Sequence, residues 1–271
     1  MYLSEFKSQL FPFFYNHLTS FELIIFSLKN SCILHKNSFN YKRFTLKYTL
    51  VRIALKLGSS HQLVPYNYQH QLTGVVHKWL GENDLHGQIS LLSFGWLKGA
   101  VPSKNGLRFP NGADWFISFH SADAAQKLVF GLFNKPEVCY GMRVEEATLL
   151  PNPRFDTKFR FKVSSPVLIR KNIDEKIREH ILWNHPEAAD LLTRTLKTRI
   201  AAAGLQDQAQ VEEVCFDTSF PKPQTKLIHY KESDLRTSIC PVWIEGNETA
   251  LQFAWNVGVG ELTGSGFGAL D

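Results

Sequence analysis

The order of hydrophobic patterns in residues 51–150 limits the possible folds of this chain more than any other feature. Stretches with strand-like and helix-like spacing follow one another as strand, helix, strand, strand, helix and strand. They lie at residues 51–57, 66–80, 89–97, 115–120, 121–135 and 138–150. This βαββαβ order predicts a ferredoxin-like domain over residues 51–150.

The first of these helices has the clearest periodicity. Its apolar side chains recur at the spacing of one helical face, at Tyr68, Leu72, Val75, Val76 and Trp79. Its polar face carries His70, Thr73 and His77, and Gly81 is suited to end the helix. Ser121 is suited to cap the second helix.

The second half of the chain, residues 155–271, repeats this order less regularly. Strand-like patterns occur at residues 158–169, 211–217, 225–231 and 240–246. A helical pattern lies between Pro186 and Gly204. Residues 248–257 fit a strand, because large apolar side chains alternate, and also a helix, because Asn247 suits a helix start. A second βαββαβ unit requires the helix.

We therefore predict an α+β fold of two tandem ferredoxin-like (βαββαβ, RRM-like) domains, at residues 51–150 and 155–271. The second domain carries a glycine-rich loop at residues 258–268, close to the last residue, Asp271.

The first fifty residues differ in composition from the rest. They contain no Gly, Ala, Val, Asp or Trp, but eight of the 21 Phe. One hypothesis is that residues 1–50 are translated upstream sequence and that a non-AUG codon at Val51 is the true start. The alternative is a genuine aromatic extension. Without this segment, the chain has 24 Lys and Arg and 23 Asp and Glu, which nearly balance. Any basic surface that binds nucleic acid must therefore be local.

Several classes of protein are excluded by composition. No apolar run reaches the roughly 18 residues of a membrane helix, and no signal peptide is recognisable. The four cysteines are far apart, as expected for reduced thiols and not for a metal site. We expect a cytoplasmic protein with no membrane association, cofactor or metal.

The stretch "GVGELTGSGFG" at residues 258–268 holds five glycines. It fails the dinucleotide fingerprint, because Thr263 stands where the third glycine belongs. It also lacks the Gly-Lys-Ser/Thr of a phosphate loop, and too few residues follow it for the helix that both motifs need.

Three stretches make the sequence similar to the CRISPR-associated endoribonucleases that cut precursor CRISPR RNA within its repeats, the Cas-six family of the RAMP superfamily. They are "VRIALKL…VPYNYQHQLTGVVHKWL", "FGLFNKPEV" with the strand after it, and "GVGELTGSGFG". The resemblance runs from residue 51 to the end. It implies two ferredoxin-like domains and makes residues 248–257 a helix.

The resemblance implies metal-independent cleavage, in which a 2′-hydroxyl attacks the adjacent phosphate and leaves a 2′,3′-cyclic phosphate. Such cleavage needs a base, an acid and groups that stabilise the phosphorane charge. His86 stands where the family's catalytic histidine lies, and His77 stands where many relatives carry tyrosine. Which histidine is acid and which is base stays open. The family's following lysine is missing, so Lys98, Lys78 or loop amides are candidates to replace it.

The resemblance also predicts the RNA-binding groups. After a helix, glycines can turn successive N–H groups toward one phosphate, in a nest. The candidates are Gly258, Gly260, Gly264, Gly266 and Gly268. A tight turn without a ligand is the structural alternative.

A basic stripe is the second predicted RNA-binding feature. Lys158, Arg160 and Lys162 alternate with apolar residues, so a strand places these cations on one face, where they suit a phosphate backbone. A solvated strand face is the alternative. Arg194, Lys197 and Arg199 are predicted to lie on a solvated helix face.

The expected partner is CRISPR repeat RNA, with other subunits of a CRISPR effector complex as further candidates. Two other functions stay open. One is a subunit that binds repeat RNA for such a complex without cutting it. The other is a ferredoxin-like regulatory module that binds a small anion or a protein.

Overall fold

The structure, a computed structural model, describes residues 25–27, 51–81, 89–174 and 178–271. The helices of this part are α1 Gln69–Leu80, α2 Ala122–Asn134, α3 Ala188–Ala202 and α4 Glu248–Val257. The strands are β1 Ile25–Ser27, β2 Val51–Leu57, β3 Ser60–Val64, β4 Leu92–Phe94, β5 Val101–Ser103, β6 Gly106–Phe109, β7 Ala113–Phe119, β8 Val144–Leu150, β9 Lys158–Phe161, β10 Arg170–Asn172, β11 Arg178–His180, β12 Val211–Phe216, β13 Gln224–Tyr230, β14 Ser233–Ile239 and β15 Val242–Gly246.

The first half contains an antiparallel sheet in the order β1-β8-β2-β7-β4. Apart from β1, the strands have the order of a ferredoxin-like βαββαβ unit. All five apolar residues predicted on the inner face of α1 are buried in the core of this half. The predicted cap of α2 is confirmed, because the Ser121 hydroxyl accepts a hydrogen bond from the Ala124 N–H, 3.3 Å away.

The second half contains the antiparallel sheet β12-β15-β9. The end of the chain adds a short fourth strand, because Leu270 bridges to Val163 and the Asp271 N–H donates to the Lys162 carbonyl over 2.8 Å. Helices α3 and α4 contribute to a second core that is separate from the first. Two tandem ferredoxin-like units are thus confirmed, and residues 248–257 form a helix capped by Asn247.

Several predicted elements differ in extent. The strand predicted at 89–97 is reduced to β4, and the strand predicted at 158–169 ends at Phe161. The turn-rich segment 101–112 contains the hairpin β5–β6, which pairs with β3 in a separate small sheet. The limits of the two domains and the interpretation of residues 1–50 stay predictions, and nearly all of residues 1–50 lie outside the described residues.

A buried arginine joins the two halves. Arg52 projects from β2 on the face opposite α1 and α2, and it is 2% exposed. Its guanidinium donates to the Ser118 hydroxyl at 2.8 Å and to the carbonyls of Trp255 and Leu270 in the second half. The same group lies between two rings, 4.1 Å from the centroid of Phe116 and 3.4 Å from that of Trp255. Nε and Nη2 donate hydrogen bonds and both faces of the guanidinium contact a ring, so this one side chain links β2 and β7 of the first half to α4 and the last residues of the second.

We expect Arg52→Met to lower the free energy of unfolding by about 3 kcal/mol, because buried carbonyls lose charged donors and the cation–π contacts disappear. Lys56→Met is the matched control, because Lys56 lies on the same strand and the same face but its side chain is 65% exposed. The control is expected to change stability by less than about 0.5 kcal/mol. Urea unfolding of both variants tests this, and equal losses would show that Arg52 does not hold the interface.

A second interface residue makes stability depend on pH. His120 is buried, its ring lies 5.4 Å from that of Phe253 in α4, and burial lowers its pKa. The unfolded chain therefore takes up a proton near pH 6.5 while the folded protein does not, so stability falls as pH drops below about 6.5.

We expect His120→Gln to reduce the loss of stability between pH 7.5 and pH 5.5. Urea unfolding at both pH values measures it. The exposed His61, changed to Gln, is the control and is expected to leave the wild-type pH dependence in place. An unchanged pH dependence in His120→Gln would remove His120 as its source.

Candidate functional site

The glycine-rich loop lies between the two halves of the protein and contacts both. Its Thr263–Ser265 segment forms a short 3₁₀ turn that packs against β4 of the first half. Phe267 packs in the second half against the hairpin β13–β14, with its ring 5.8 Å from that of Tyr230. The loop is therefore part of the packed interior and not a free surface segment.

Close neighbours explain the glycines. Gly268 has φ 61°, and a Cβ there would collide with the Val259 carbonyl oxygen. Gly266 has φ 78°, and a Cβ there would lie 2.5 Å from the buried ring of Phe94. Gly258 and Gly260 also have positive φ and face backbone carbonyls. Protein packing thus requires glycine at these four positions, without a phosphate ligand.

Most N–H groups of the loop are already used. Protein carbonyls accept from the N–H groups of Gly258, Val259, Glu261, Ser265, Gly266 and Gly268. Within the described residues, the consecutive N–H groups of Leu262, Thr263 and Gly264 have no acceptor. A nest for an anion is therefore restricted to this tip, defined here as residues 262–264.

The polar face of α1 contacts the loop next to its tip. Gln69 donates to the carbonyls of Ser265 at 2.7 Å and Gly266 at 3.0 Å, and the Thr73 hydroxyl lies 3.5 Å from the Ser265 carbonyl. Gln69, Thr73 and His77 form one stripe, because they are spaced by four residues. His77 lies half-buried, one turn, or about 6 Å, beyond Thr73 along the helix axis.

The structure describes the position of His70 but not that of His86. His86 falls in residues 82–88, outside the described residues, so its catalytic role stays a prediction. The described chain resumes at Ile89, and the Ser90 side chain lies against Gly264, 2.6 Å from where a Cβ would be. His70 lies seven residues before His77 on the same side of α1, but it is exposed, its ring contacts Gln71, and it is two turns, or about 10 Å, from His77 along the helix axis.

The two candidate replacement lysines are engaged elsewhere. Lys98 forms an ion pair with Asp271. Lys78 donates to the Glu137 carbonyl over 2.6 Å. Neither ammonium is directed at the loop tip by these contacts, so the tip amides are the better candidates for stabilising phosphorane charge.

The predicted basic stripe is partly neutralised. Lys158 pairs with Glu245 at 2.7 Å, and Arg160 pairs with Asp217 at 2.6 Å. Hydrogen bonds from Ser219 and then Arg160 lower the pKa of Asp217, which keeps this carboxylate ionised. Lys162 is exposed. RNA would compete with carboxylates for the first two cations.

Arg199 was predicted on a solvated face, and this is wrong. It is 4% exposed and donates to the carbonyls of Gly258 and Gly260, where the loop begins. The spacing of Leu192, Leu196 and Arg199 along α3 could have placed it on the buried face. Burial lowers its pKa to about 10, which still leaves it charged at neutral pH.

The packing of the loop predicts how glycine substitutions act. We expect Gly266→Ala to lower the free energy of unfolding by about 2–4 kcal/mol, from the left-handed backbone and the collision with Phe94. Gly204→Ala is the control, because Gly204 has φ 70° but nothing within 4 Å of a Cβ. It should lose only about 1 kcal/mol. Urea unfolding compares them, and equal losses would show that Phe94 does not constrain the loop.

Comparison with known proteins identifies related sequences and folds. Residues 150–271 match the family model described as CRISPR associated protein Cas6, C-terminal. A solved structure described as CRISPR associated protein Cas6 is 20% identical, with a TM-score of 0.69, and the match covers 82% of this chain and 98% of the other. No curated protein sequence matches the chain.

Two further solved structures match with the same coverage of 82% and 98%. The product of a Cas6-related gene from Pyrococcus furiosus is 18% identical, with a TM-score of 0.71. A RAMP protein described as binding different RNA substrates is 19% identical, with a TM-score of 0.66. Among the described residues, no helix is long and apolar enough to cross a membrane, and no three metal-ligand side chains are grouped.

Proposed function

Because the chain belongs to the Cas6 family of CRISPR-associated proteins, we propose that it is an endoribonuclease that cleaves precursor CRISPR RNA within its repeats. The observation that carries this proposal is the contact between the polar face of α1 and the glycine-rich loop. That contact brings the helix with His77 next to backbone N–H groups that have no acceptor in the described chain. The proposed reaction takes place in the cytoplasm, where the precursor is transcribed.

The proposed chemistry uses the RNA's own nucleophile. One histidine of the pair His77 and His86 removes the proton of a 2′-hydroxyl, and the 2′-oxygen forms a bond to the adjacent phosphorus. The bond from phosphorus to the 5′-oxygen breaks, and the other histidine donates a proton to that oxygen. Either assignment of the two roles satisfies this scheme. The products are a 2′,3′-cyclic phosphate and a 5′-hydroxyl, and no metal is required.

Charge builds up on the phosphorane oxygens during this reaction. The consecutive N–H groups of the loop tip, residues 262–264, are suited to stabilise it, because they are held in place by packing on both sides. Among the glycines, Gly264 is the one expected to lie nearest the RNA. Gly258, Gly260, Gly266 and Gly268 act by shaping the loop.

Repeat RNA is the proposed partner, and the similarity to a RAMP protein described as binding different RNA substrates supports this choice. Of the basic stripe, Lys162 is the strongest candidate for a phosphate contact, because Lys158 and Arg160 already pair with carboxylates. Contacts with other subunits of a CRISPR effector complex stay a prediction.

A second candidate function is a subunit that holds repeat RNA without cutting it. The observation that favours it is the engagement of Lys78 and Lys98 in other contacts, so neither of these two candidates is directed to the role that the family commonly gives a lysine. This subunit would bind repeat RNA with the same surface and release no product.

The test is single-turnover cleavage of RNA that carries a CRISPR repeat from the same genome, with EDTA present. We expect His86→Gln and His77→Gln each to slow cleavage by about 10²–10⁴-fold, because each removes one proton-transfer group. Affinity for the RNA should change by less than about threefold. The matched control is His70→Gln on the same helix, where the exposed ring lies two turns before His77, and it should cleave at the wild-type rate.

Three results would contradict the proposal in distinct ways. Binding without cleavage by the wild-type protein would support the second candidate. Cleavage only after addition of a divalent metal would exclude the proposed chemistry. Equal rates for His77→Gln and His70→Gln would remove His77 from the mechanism.

A further inference from the structure

A cleft of about 410 Å³ opens beside the glycine-rich loop, between α3 and the segment that follows residue 88. Its volume lies in the range of small-molecule sites. The residues that matter for its chemistry are Ile89, Ser90, Arg194, Thr198, Glu261 and Leu262. They come from both ferredoxin-like units and from the loop, so the cleft forms only where the two units of the chain pack together.

The charge of the cleft is positive. Arg194 is exposed, and its guanidinium forms no ion pair within the described residues. It helps to lower the pKa of Glu187, but that carboxylate already pairs with Lys171. Arg199 lies buried below it. Among the described residues that line the cleft, the one carboxylate is that of Glu261. It is held by Arg170, which donates through Nη2 at 2.6 Å, Nε at 3.0 Å and its backbone N–H at 2.7 Å. The positive charge of Arg194 is therefore available to bind an anionic ligand.

Apolar groups form the rest of the wall. Ile89 is 46% exposed, although it is a large aliphatic residue at the entrance of the cleft. Leu262 has φ 54°, a left-handed backbone that is unfavourable for a residue with a branched side chain. Strained residues of this kind concentrate at binding sites, where the surrounding structure holds them in place.

Hydroxyl groups complete the set. Thr198 donates its proton to the Arg194 carbonyl at 2.9 Å, so its oxygen keeps lone pairs for an incoming donor. Ser90 lies at the edge of the cleft nearest Gly264. A guanidinium, two hydroxyls and two aliphatic side chains in one cleft match the chemistry of a nucleotide, with its phosphate, ribose and base.

We propose that this cleft binds one nucleotide of single-stranded RNA, with its phosphate on Arg194 and its base or ribose against Ile89 and Leu262. This inference rests on the proposed function, because the RNA is the same substrate. It adds a subsite on the α3 side of the loop. A bidentate contact from arginine to phosphate is strong and directional, so Arg194 would fix the register of the strand as it leaves the loop tip.

The first experiment measures the affinity of the full-length protein for the repeat RNA over a range of salt concentrations. We expect Arg194→Gln to weaken binding about tenfold and to reduce the slope of log K against log salt by about 0.7, the value for one phosphate contact in a single strand. Lys197→Gln on the same helix is the control. Lys197 is exposed and does not line the cleft. Its replacement should change the affinity by less than about twofold and the slope by less than about 0.2 units, because salt screens a charge that lies away from the RNA.

The second experiment locates the nucleotide. Ile89→Ala should bind the intact RNA more weakly than the wild-type protein does. In a series of RNAs that each lack one base, one RNA should bind the variant and the wild-type protein equally well. Such a position identifies the base that lies against Ile89. Melting temperatures of the variants should match the wild-type value, since Arg194 and Ile89 are both exposed.

The outcomes separate the two proposals. If the wild-type protein binds the repeat RNA, but Arg194→Gln behaves like Lys197→Gln and no abasic position cancels the effect of Ile89→Ala, the subsite is overturned and the proposed function stands. If the wild-type protein does not bind the repeat RNA, the proposed function fails and the subsite fails with it.

Discussion

The closure of the glycine-rich loop on itself is the contact on which the rest of the structure depends. The Val259 N–H donates to the Gly268 carbonyl at 2.9 Å, and the Gly268 N–H donates to the Pro166 carbonyl at 2.9 Å. Only a glycine at 268 permits this approach. The closure returns the chain to the second sheet, where Leu270 bridges to Val163, and it sets the position of the tip that faces α1.

Two buried guanidinium groups hold this loop and the strand after it in place. Arg199 donates to carbonyls at the start of the loop, and Arg52 donates to the Leu270 carbonyl just after its end. Burial lowers the pKa of Arg52 to about 9, partly offset by Asp271, so the group still carries its charge at neutral pH. Buried charges of this kind are costly unless they are hydrogen-bonded, and the accepting carbonyls gain strong, charge-assisted hydrogen bonds in return. The loop side of the site is therefore built from the second unit and positioned against α1 of the first.

The sequence predicted the elements whose signals are local. The stripe of α1, the Ser121 cap and the start of α4 at Asn247 depend on neighbours within a few residues, and all are present. Strand β14, "SDLRTSI", was missed because it has few apolar residues and is defined by its pairing with β13. The reason for the glycines also depends on distant partners, since Phe94 and Gly266 are far apart in sequence. Composition could not show that Lys158 and Arg160 pair with the carboxylates of Glu245 on β15 and Asp217 just after β12.

The most direct test of cleavage by the RNA's own 2′-hydroxyl replaces single 2′-hydroxyls of the repeat RNA by hydrogen, one position at a time, and measures binding and cleavage with EDTA present. We expect one substitution to abolish cleavage while affinity stays within about twofold, because the nucleophile is lost and few contacts change. We also expect a 2′,3′-cyclic phosphate on the product of the unmodified RNA. Cleavage of every substituted RNA at the unmodified rate would show that the 2′-hydroxyl is not the nucleophile.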